Sequence, residues 1–172
     1  MDKFFRMSAI CLALALGSQA ALAAQDADDF VEDASAKGVA EVEAGKLAEE
    51  KGQSQEVKKF AEMMVKDHTA ANVKLKAIAQ SKKLEVSDDA QLMDKAKAMI
   101  LELRNASSFD RAYANNQVKA HEATIKLFEE QAANGEDAYL KAFASETLPK
   151  LKEHLVHAKE LAAATGGDAA KN

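Results

Sequence analysis

The sequence has little of what breaks helices or cross-links chains. It contains seven glycines, one proline, one cysteine and no tryptophan, and aromatic residues make up 5% of it. The scarcity of glycine and proline disfavours turn-rich β architectures, whereas abundant Ala, Leu, Lys and Glu favour helix. The composition therefore predicts an all-α protein, and 172 residues suffice for one domain with a substantial core.

The N-terminal segment has the pattern of a signal peptide. Lys3 and Arg6 supply positive charge, 8–16 is a short apolar stretch, and Ala21-Leu22-Ala23 is a small-x-small cleavage site. We therefore predict a signal peptide over 1–23, a bundle domain over 24–164 and a disordered tail over 165–172. The expected location is the periplasm, with association to the outer membrane left open.

The remaining chain offers neither thiol chemistry nor a membrane anchor. The cysteine, Cys11, lies within 1–23, so the predicted mature chain has no disulfide. No second long hydrophobic run follows, which predicts that there is no transmembrane anchor. The net charge is −5, and 1–23 contributes +1, so the mature chain carries −6. An acidic domain without a basic stripe is not expected to bind nucleic acid.

Four long helical stretches and one shorter one are predicted. They run over 28–51, 54–83, 88–104, 107–134 and 136–164, with caps at Ser54 and Ser87, a capping box from Ser107 to Asp110 and a stop at Asn134-Gly135. Short loops make consecutive helices antiparallel, and the short helix is long enough to carry a crossover. Pro149 should kink the last helix. The expected fold is a ferritin-like antiparallel four-helix bundle with an additional short crossover helix.

Polar residues occupy core positions on four of these helices. His68 lies on the apolar seam of the second helix, His121 on that of the fourth and His154 on that of the fifth. On the first helix, Glu41 lies on a stripe of small residues that includes two glycines. By contrast, His157 shares a face with charged residues and should be exposed.

Glu41, His68 and His121 each lie near the middle of a long helix. His154 lies near the middle of the part of the last helix that follows Pro149. They should therefore meet at one height in an antiparallel bundle. Imidazoles and a carboxylate can bind one divalent transition metal ion, with zinc, copper, nickel, iron and manganese all open. The predicted ligands are Glu41, His68, His121 and His154, with Asp67, Glu122 and Glu153 as hydrogen-bond partners of the ligands.

A second interpretation is structural. Three buried histidines and Glu41 can form a hydrogen-bonded core network that binds nothing. The protein would then be a non-catalytic envelope or stress-related protein that acts through its surface on a protein partner that the sequence does not identify. Its oligomeric state is equally open. No nucleophile–base pair, phosphate loop or dinucleotide motif appears, so an enzyme is the weakest of the three hypotheses.

Three segments resemble a known family, the domain-of-unknown-function family 4142. They are 60–68 (FAEMMVKDH) with Ala71-Asn72, 109–113 (FDRAY) with the later His121, and 147–155 (TLPKLKEHL). The resemblance covers about residues 28–162. It implies an exported bacterial protein, often labelled a putative outer membrane protein, with a ferritin-like fold and no established activity.

The sequence departs from the di-metal sites of the wider ferritin-like class. Those sites use Glu-x-x-His pairs. Three positions before His68, His121 and His154 stand Val65, Val118 and Leu151, which are not ligands. Ferroxidase or di-iron oxidase activity is therefore not expected, and a single nitrogen-rich metal site is the most that these residues support.

Overall fold

The computed structural model describes residues 27–84, 89–105 and 108–168. Within these ranges the chain forms five α-helices and no strand: α1 Ala27–Lys51, α2 Gln55–Lys82, α3 Asp89–Asn105, α4 Phe109–Asn134 and α5 Ala138–Ala164. The all-α prediction is confirmed. The predicted signal peptide, the predicted cap Ser87 and residues 169–172 lie outside the described residues.

The four long helices form an antiparallel bundle. α1 packs against α2 and α4, while α5 packs against α4 and α2. The ring of Phe30 at the start of α1 contacts that of Phe128 near the end of α4, with centroids 5.3 Å apart. Lys82 at the end of α2 pairs with Asp137 at the start of α5 at 2.9 Å. Neighbouring helices therefore run in opposite directions, and α3 packs mainly on the outside of α1.

Two apolar clusters fill the bundle, one towards each end. One includes Leu47, Met64 and Tyr113 near the α1–α2 turn. The other includes Phe30, Phe128 and Leu140 at the opposite end. Buried Glu41, His68, His121 and His154 lie between the two clusters, at mid-helix positions. A polar layer thus divides the core, as the seam positions predicted.

Close contact between α1 and α2 explains the two glycines inside α1. A Cβ atom on Gly45 would lie 2.7 Å from Cγ2 of Val65 and 3.1 Å from the carbonyl oxygen of Ala61. A Cβ atom on Gly38 would meet the side chain of Asn72. Both glycines therefore make room for α2, although each costs roughly 1 kcal/mol of helix propensity relative to alanine.

The helix ends follow the predicted signals with one exception. The Ser54 hydroxyl accepts a hydrogen bond from the backbone N–H of Val57, and Gly135 follows α4 as its C-cap. The N-cap of α4 is Ser108, whose side chain makes no capping bond, while Ser107 of the predicted capping box lies outside the described residues. Asp110 instead accepts hydrogen bonds from the backbone N–H groups of Gln53 and Ser54, both at 2.9 Å.

Pro149 does not interrupt the last helix. α5 continues from Ala138 to Ala164 with Pro149 inside it, and it has buried residues both before and after the proline. In the part of the chain that the structure describes, no helix has a stretch long and apolar enough to cross a membrane.

Candidate metal centre

Three histidines from three helices meet in the middle of the bundle. His68 on α2, His121 on α4 and His154 on α5 are between 1% and 6% exposed. The ring centroids of each pair lie 5.5 Å apart. One potential ligand atom from each side chain lies within 4.8 Å of those of the other two. These three buried histidines could hold a metal ion, and we call them the histidine trio.

Hydrogen bonds on the outer side of the trio fix two of the rings. Nδ1 of His121 donates to the carbonyl oxygen of Gln117 at 2.9 Å. Nε2 of His154 donates to Oδ2 of Asp67 at 3.0 Å. Because a carbonyl and a carboxylate oxygen can only accept, the hydrogen of each neutral ring lies on the bonded nitrogen. The other nitrogen of each ring therefore carries a lone pair.

The inner nitrogens of the trio have no partner. Nε2 of His68, Nε2 of His121 and Nδ1 of His154 are buried and accept or donate no hydrogen bond among the described residues. A buried polar atom without a partner costs on the order of 1–3 kcal/mol. Three such atoms on three adjacent rings could bind one ion, because ring nitrogens are good ligands for transition metals.

The spacing is close to what one ion requires. Nitrogen ligands about 2.1 Å from a tetrahedral metal lie about 3.4 Å from one another. The spacing of up to 4.8 Å in the trio would then shorten by at most about 1.4 Å. Binding one ion therefore requires the ligand atoms of the trio to move closer together by no more than this amount.

Burial favours the neutral form of His68 and His154, which is the form that binds metals. Desolvation, followed by the proximity of His121 and His154, lowers the pKa of His68 from 6.5 to about 3. Desolvation also lowers the pKa of His154, although its bond to Asp67 opposes this effect. Neutral imidazoles can bind a cation at neutral pH without first releasing a proton.

Glu41 lies beside the trio but is not part of it. Its carboxylate accepts a hydrogen bond from Nε2 of Gln117 at 2.7 Å. Burial raises the pKa of this carboxyl, although the proximity of His121, the hydrogen bond from Gln117 and the charge of Lys37 oppose the rise. The side chains that lie close enough together to hold a metal are the three histidines, and Glu41 is not among them. The structure therefore joins Glu41 to the layer through Gln117.

The acidic residues next to the histidines have different roles. Asp67 lies beside His68 in the sequence, but it bonds His154 on another helix. Glu122 pairs with Lys159 at 3.0 Å, and Glu153 pairs with Lys150 at 2.8 Å. The side chains of Glu122 and Glu153 are 50% and 51% exposed. Of the three predicted partners of the ligands, only Asp67 contacts the trio through a hydrogen bond that the structure records. His157 is 45% exposed, as its polar face predicted.

The sequence patterns did not single out Gln117. Its side chain is fully buried, its amide donates to Glu41, and its backbone carbonyl accepts from His121. It lies one helical turn before His121, and Tyr113 lies one turn further back on the same face. A polar residue four positions from an inward histidine is a signal that could have identified it.

The fold and site together define an all-α bundle with a buried centre of three histidines. The chain belongs to the family described as Domain of unknown function (DUF4142), whose model matches residues 12–161. This confirms the family that the three segments indicated. Neither a curated protein nor a solved structure matches the chain.

Proposed function

We propose that this protein is an exported, periplasmic helical bundle that binds one divalent transition metal ion through His68, His121 and His154. The observation that carries the proposal is the set of three buried, unpartnered ring nitrogens. The chemistry of the site favours metals that accept imidazole nitrogen, which include zinc, copper, nickel and iron.

The hydrogen bonds behind the ligands support the same function. In metal sites, a ligating histidine commonly donates its other N–H to a carboxylate or a backbone carbonyl, which sets the orientation of the ring. His154 does so to Asp67, and His121 does so to the carbonyl of Gln117. The second nitrogen of each ring is then free to bind an ion.

The structural interpretation is less well supported. A core network that binds nothing needs a hydrogen-bond partner for each buried nitrogen. The His68 and His121 rings are 74° apart in orientation, and those of His121 and His154 are 81° apart. The inner nitrogens of the three rings make no hydrogen bonds with one another. A network of this kind would leave three polar groups unsatisfied.

The location rests on the sequence of residues 1–23. A positive start, a short apolar stretch and a small-x-small site are the features of an export signal. Export would give the site a supply of metal that differs from that of the cytoplasm. Association with the outer membrane needs a further partner, and it is tested by fractionating the cell envelope.

The metal content of the native protein tests the proposal. The untagged protein is purified from the periplasm, and its metals are measured by mass spectrometry. We expect close to one transition metal ion per chain in the wild type. A His68→Ala/His121→Ala double variant should lose it, whereas His157→Ala, which removes an exposed histidine, should retain it.

The same preparations separate a lost site from a lost fold. Circular dichroism should show the same helix content in all variants. The wild type and His157→Ala should gain thermal stability when zinc or copper is added, whereas the double variant should not. If the wild type contains no metal and shows no thermal shift with either ion, the protein does not bind metal through the trio.

A further inference from the structure

A small cavity adjoins the histidine trio. Its volume is about 20 Å³. All four long helices contribute to it, and its lining includes Glu41, His68, Ala71, Asn72, Thr124 and Thr147. Ala71 and Thr124 each follow a histidine of the trio by three positions, so the cavity directly adjoins the trio on the bundle axis.

The cavity has the size for a single small molecule, and polar side chains line part of it. A volume above about 10–15 Å³ accommodates one water if polar groups surround it. The hydroxyl groups of Thr124 and Thr147 donate to the carbonyl oxygens of Ala120 and Phe143, so their lone pairs remain available as acceptors. The carboxylate of Glu41 lies on the same wall.

A wider cleft lies next to this cavity. It has a volume of about 300 Å³ and lies between α1, α3 and α4. Lys37, Glu41 and Thr124 line both the cleft and the small cavity, so these three side chains separate them. The ammonium group of Lys37 would attract an anion to this entrance, whereas Glu41 would repel it.

We propose that the metal centre is an open one, whose remaining coordination position faces the small cavity. A water molecule or a small anion occupies this position and enters past Lys37 and Glu41. This inference rests on the proposed metal binding. Three protein nitrogens leave a tetrahedral ion with one position for an outside ligand, which is the arrangement of catalytic zinc sites as opposed to closed structural ones. Glu41, which is held by Gln117, then contacts the outside ligand and does not bind the ion.

The visible absorption of the Co(II)-loaded protein during titration with fluoride tests this inference. Fluoride is about the size of one water molecule, and its coordination changes the d–d bands of the cobalt ion. We expect a saturable spectral change in the wild type. Ala71→Val places two methyl groups at the cavity wall and should weaken fluoride binding by about tenfold or more, because close-packed interiors have no other space for the anion. Ala70→Val is the matched control, since Ala70 is exposed, and its fluoride affinity should equal that of the wild type.

A second variant tests the role of Glu41 independently of cavity volume. Glu41→Gln keeps the size of the side chain and removes the negative charge, so at pH 8 fluoride should bind about threefold more tightly or better. If Ala71→Val does not fold, the result for Glu41→Gln decides, and an unchanged fluoride affinity would overturn the inference.

The outcomes distinguish this inference from the proposed function. A cobalt spectrum that fluoride does not change overturns the open position and leaves metal binding intact. An Ala71→Val protein that responds like the wild type also overturns it, because the ligand would then lie elsewhere. If the wild type gives no spectrum of protein-bound cobalt, the metal site itself is refuted and the open position with it.

Discussion

Nε2 of His154 on α5 lies 3.0 Å from Oδ2 of Asp67 on α2, so a hydrogen bond between two helices orients one ring of the trio. Asp67 directly precedes His68, and α2 therefore supplies both a ring of the trio and the carboxylate that positions a second ring. The Asp67 side chain is 24% exposed, whereas His154 is 1% exposed. The bond thus connects the buried layer to the edge of the bundle.

Replacing Asp67 should weaken metal binding without removing a ligand. Asp67→Ala leaves the His154 ring free to turn, and the loss of such a partner typically costs 10–100-fold in metal affinity, so we expect about that decrease. Competition against a chelating dye measures the affinity. The matched control is Glu153→Ala, which removes an exposed carboxylate next to His154 that pairs with Lys150. Equal affinities in the two variants would contradict this role of Asp67.

The metal-free protein should lose stability as the pH falls below the ordinary histidine range. The unfolded chain protonates His68 near pH 6.5, whereas the folded protein holds its pKa at about 3. Between these values the unfolded state binds more protons, so the free energy of unfolding decreases as the pH falls. For His68 alone the loss at pH 5.5 should be about 1.4 kcal/mol.

Urea unfolding at pH 7.5 and 5.5 measures this effect. His68→Leu should show a smaller decrease than the wild type, and His157→Gln, which changes an exposed ring, should follow the wild type. The raised pKa of Glu41 acts in the opposite direction above pH 4.5, because the folded state then binds more protons than the unfolded chain. The difference between His68→Leu and the wild type removes this contribution. Parallel decreases in the two proteins would show that His68 is not held neutral.

The two glycines of α1 should differ in their tolerance of alanine. At Gly45 the added Cβ meets the backbone of Ala61 and the branched side chain of Val65, neither of which can move easily. We expect Gly45→Ala to destabilise the protein by about 1–3 kcal/mol. At Gly38 the obstacle is the end of the Asn72 side chain, which can rotate away, and the gain in helix propensity offsets part of the cost. Gly38→Ala is thus the matched comparison, and a larger loss at Gly38 than at Gly45 in urea unfolding would contradict the packing of α1 on α2.

Asp110 should stabilise the bundle from outside its core. Both of its carboxylate oxygens accept hydrogen bonds from backbone N–H groups in the turn between α1 and α2. These bonds connect the start of α4 to the start of α2. We expect Asp110→Ala to lower the free energy of unfolding by about 1–3 kcal/mol, because hydrogen bonds to charged groups are the stronger ones. Glu62→Ala, at an exposed acidic position on α2, is the control and should change stability by less than about 0.5 kcal/mol. Equal effects of the two substitutions would refute the assignment.

The helical periodicity predicted most of this architecture because burial on one face determines it. The seam through His68 and the stripe through Glu41 face inward in the structure, and the exposed face of His157 faces solvent. These patterns repeat every three or four residues, so each helix reveals its inner face without knowledge of its neighbours.

Contacts between helices could not be predicted in the same way. Asp67 bonds a histidine 87 residues away, and Gln117 bonds Glu41 across 76 residues. Asp110 has the spacing of a local cap but bonds a turn that lies 56 residues earlier. A local pattern contains no information on rotation and height between two helices, and these quantities decide which neighbour a polar side chain reaches.

X-ray absorption spectroscopy at the edge of the bound metal tests the central claim most directly. It counts the ligands of the ion and identifies imidazole by scattering from the outer ring atoms. We predict three imidazole nitrogens at about 2.0–2.1 Å and one additional oxygen or nitrogen ligand. His121→Ala should reduce the imidazole count, and His157→Ala should leave it unchanged. A shell of oxygen ligands alone, or a wild-type spectrum that His121→Ala does not alter, would contradict a metal centre formed by the histidine trio.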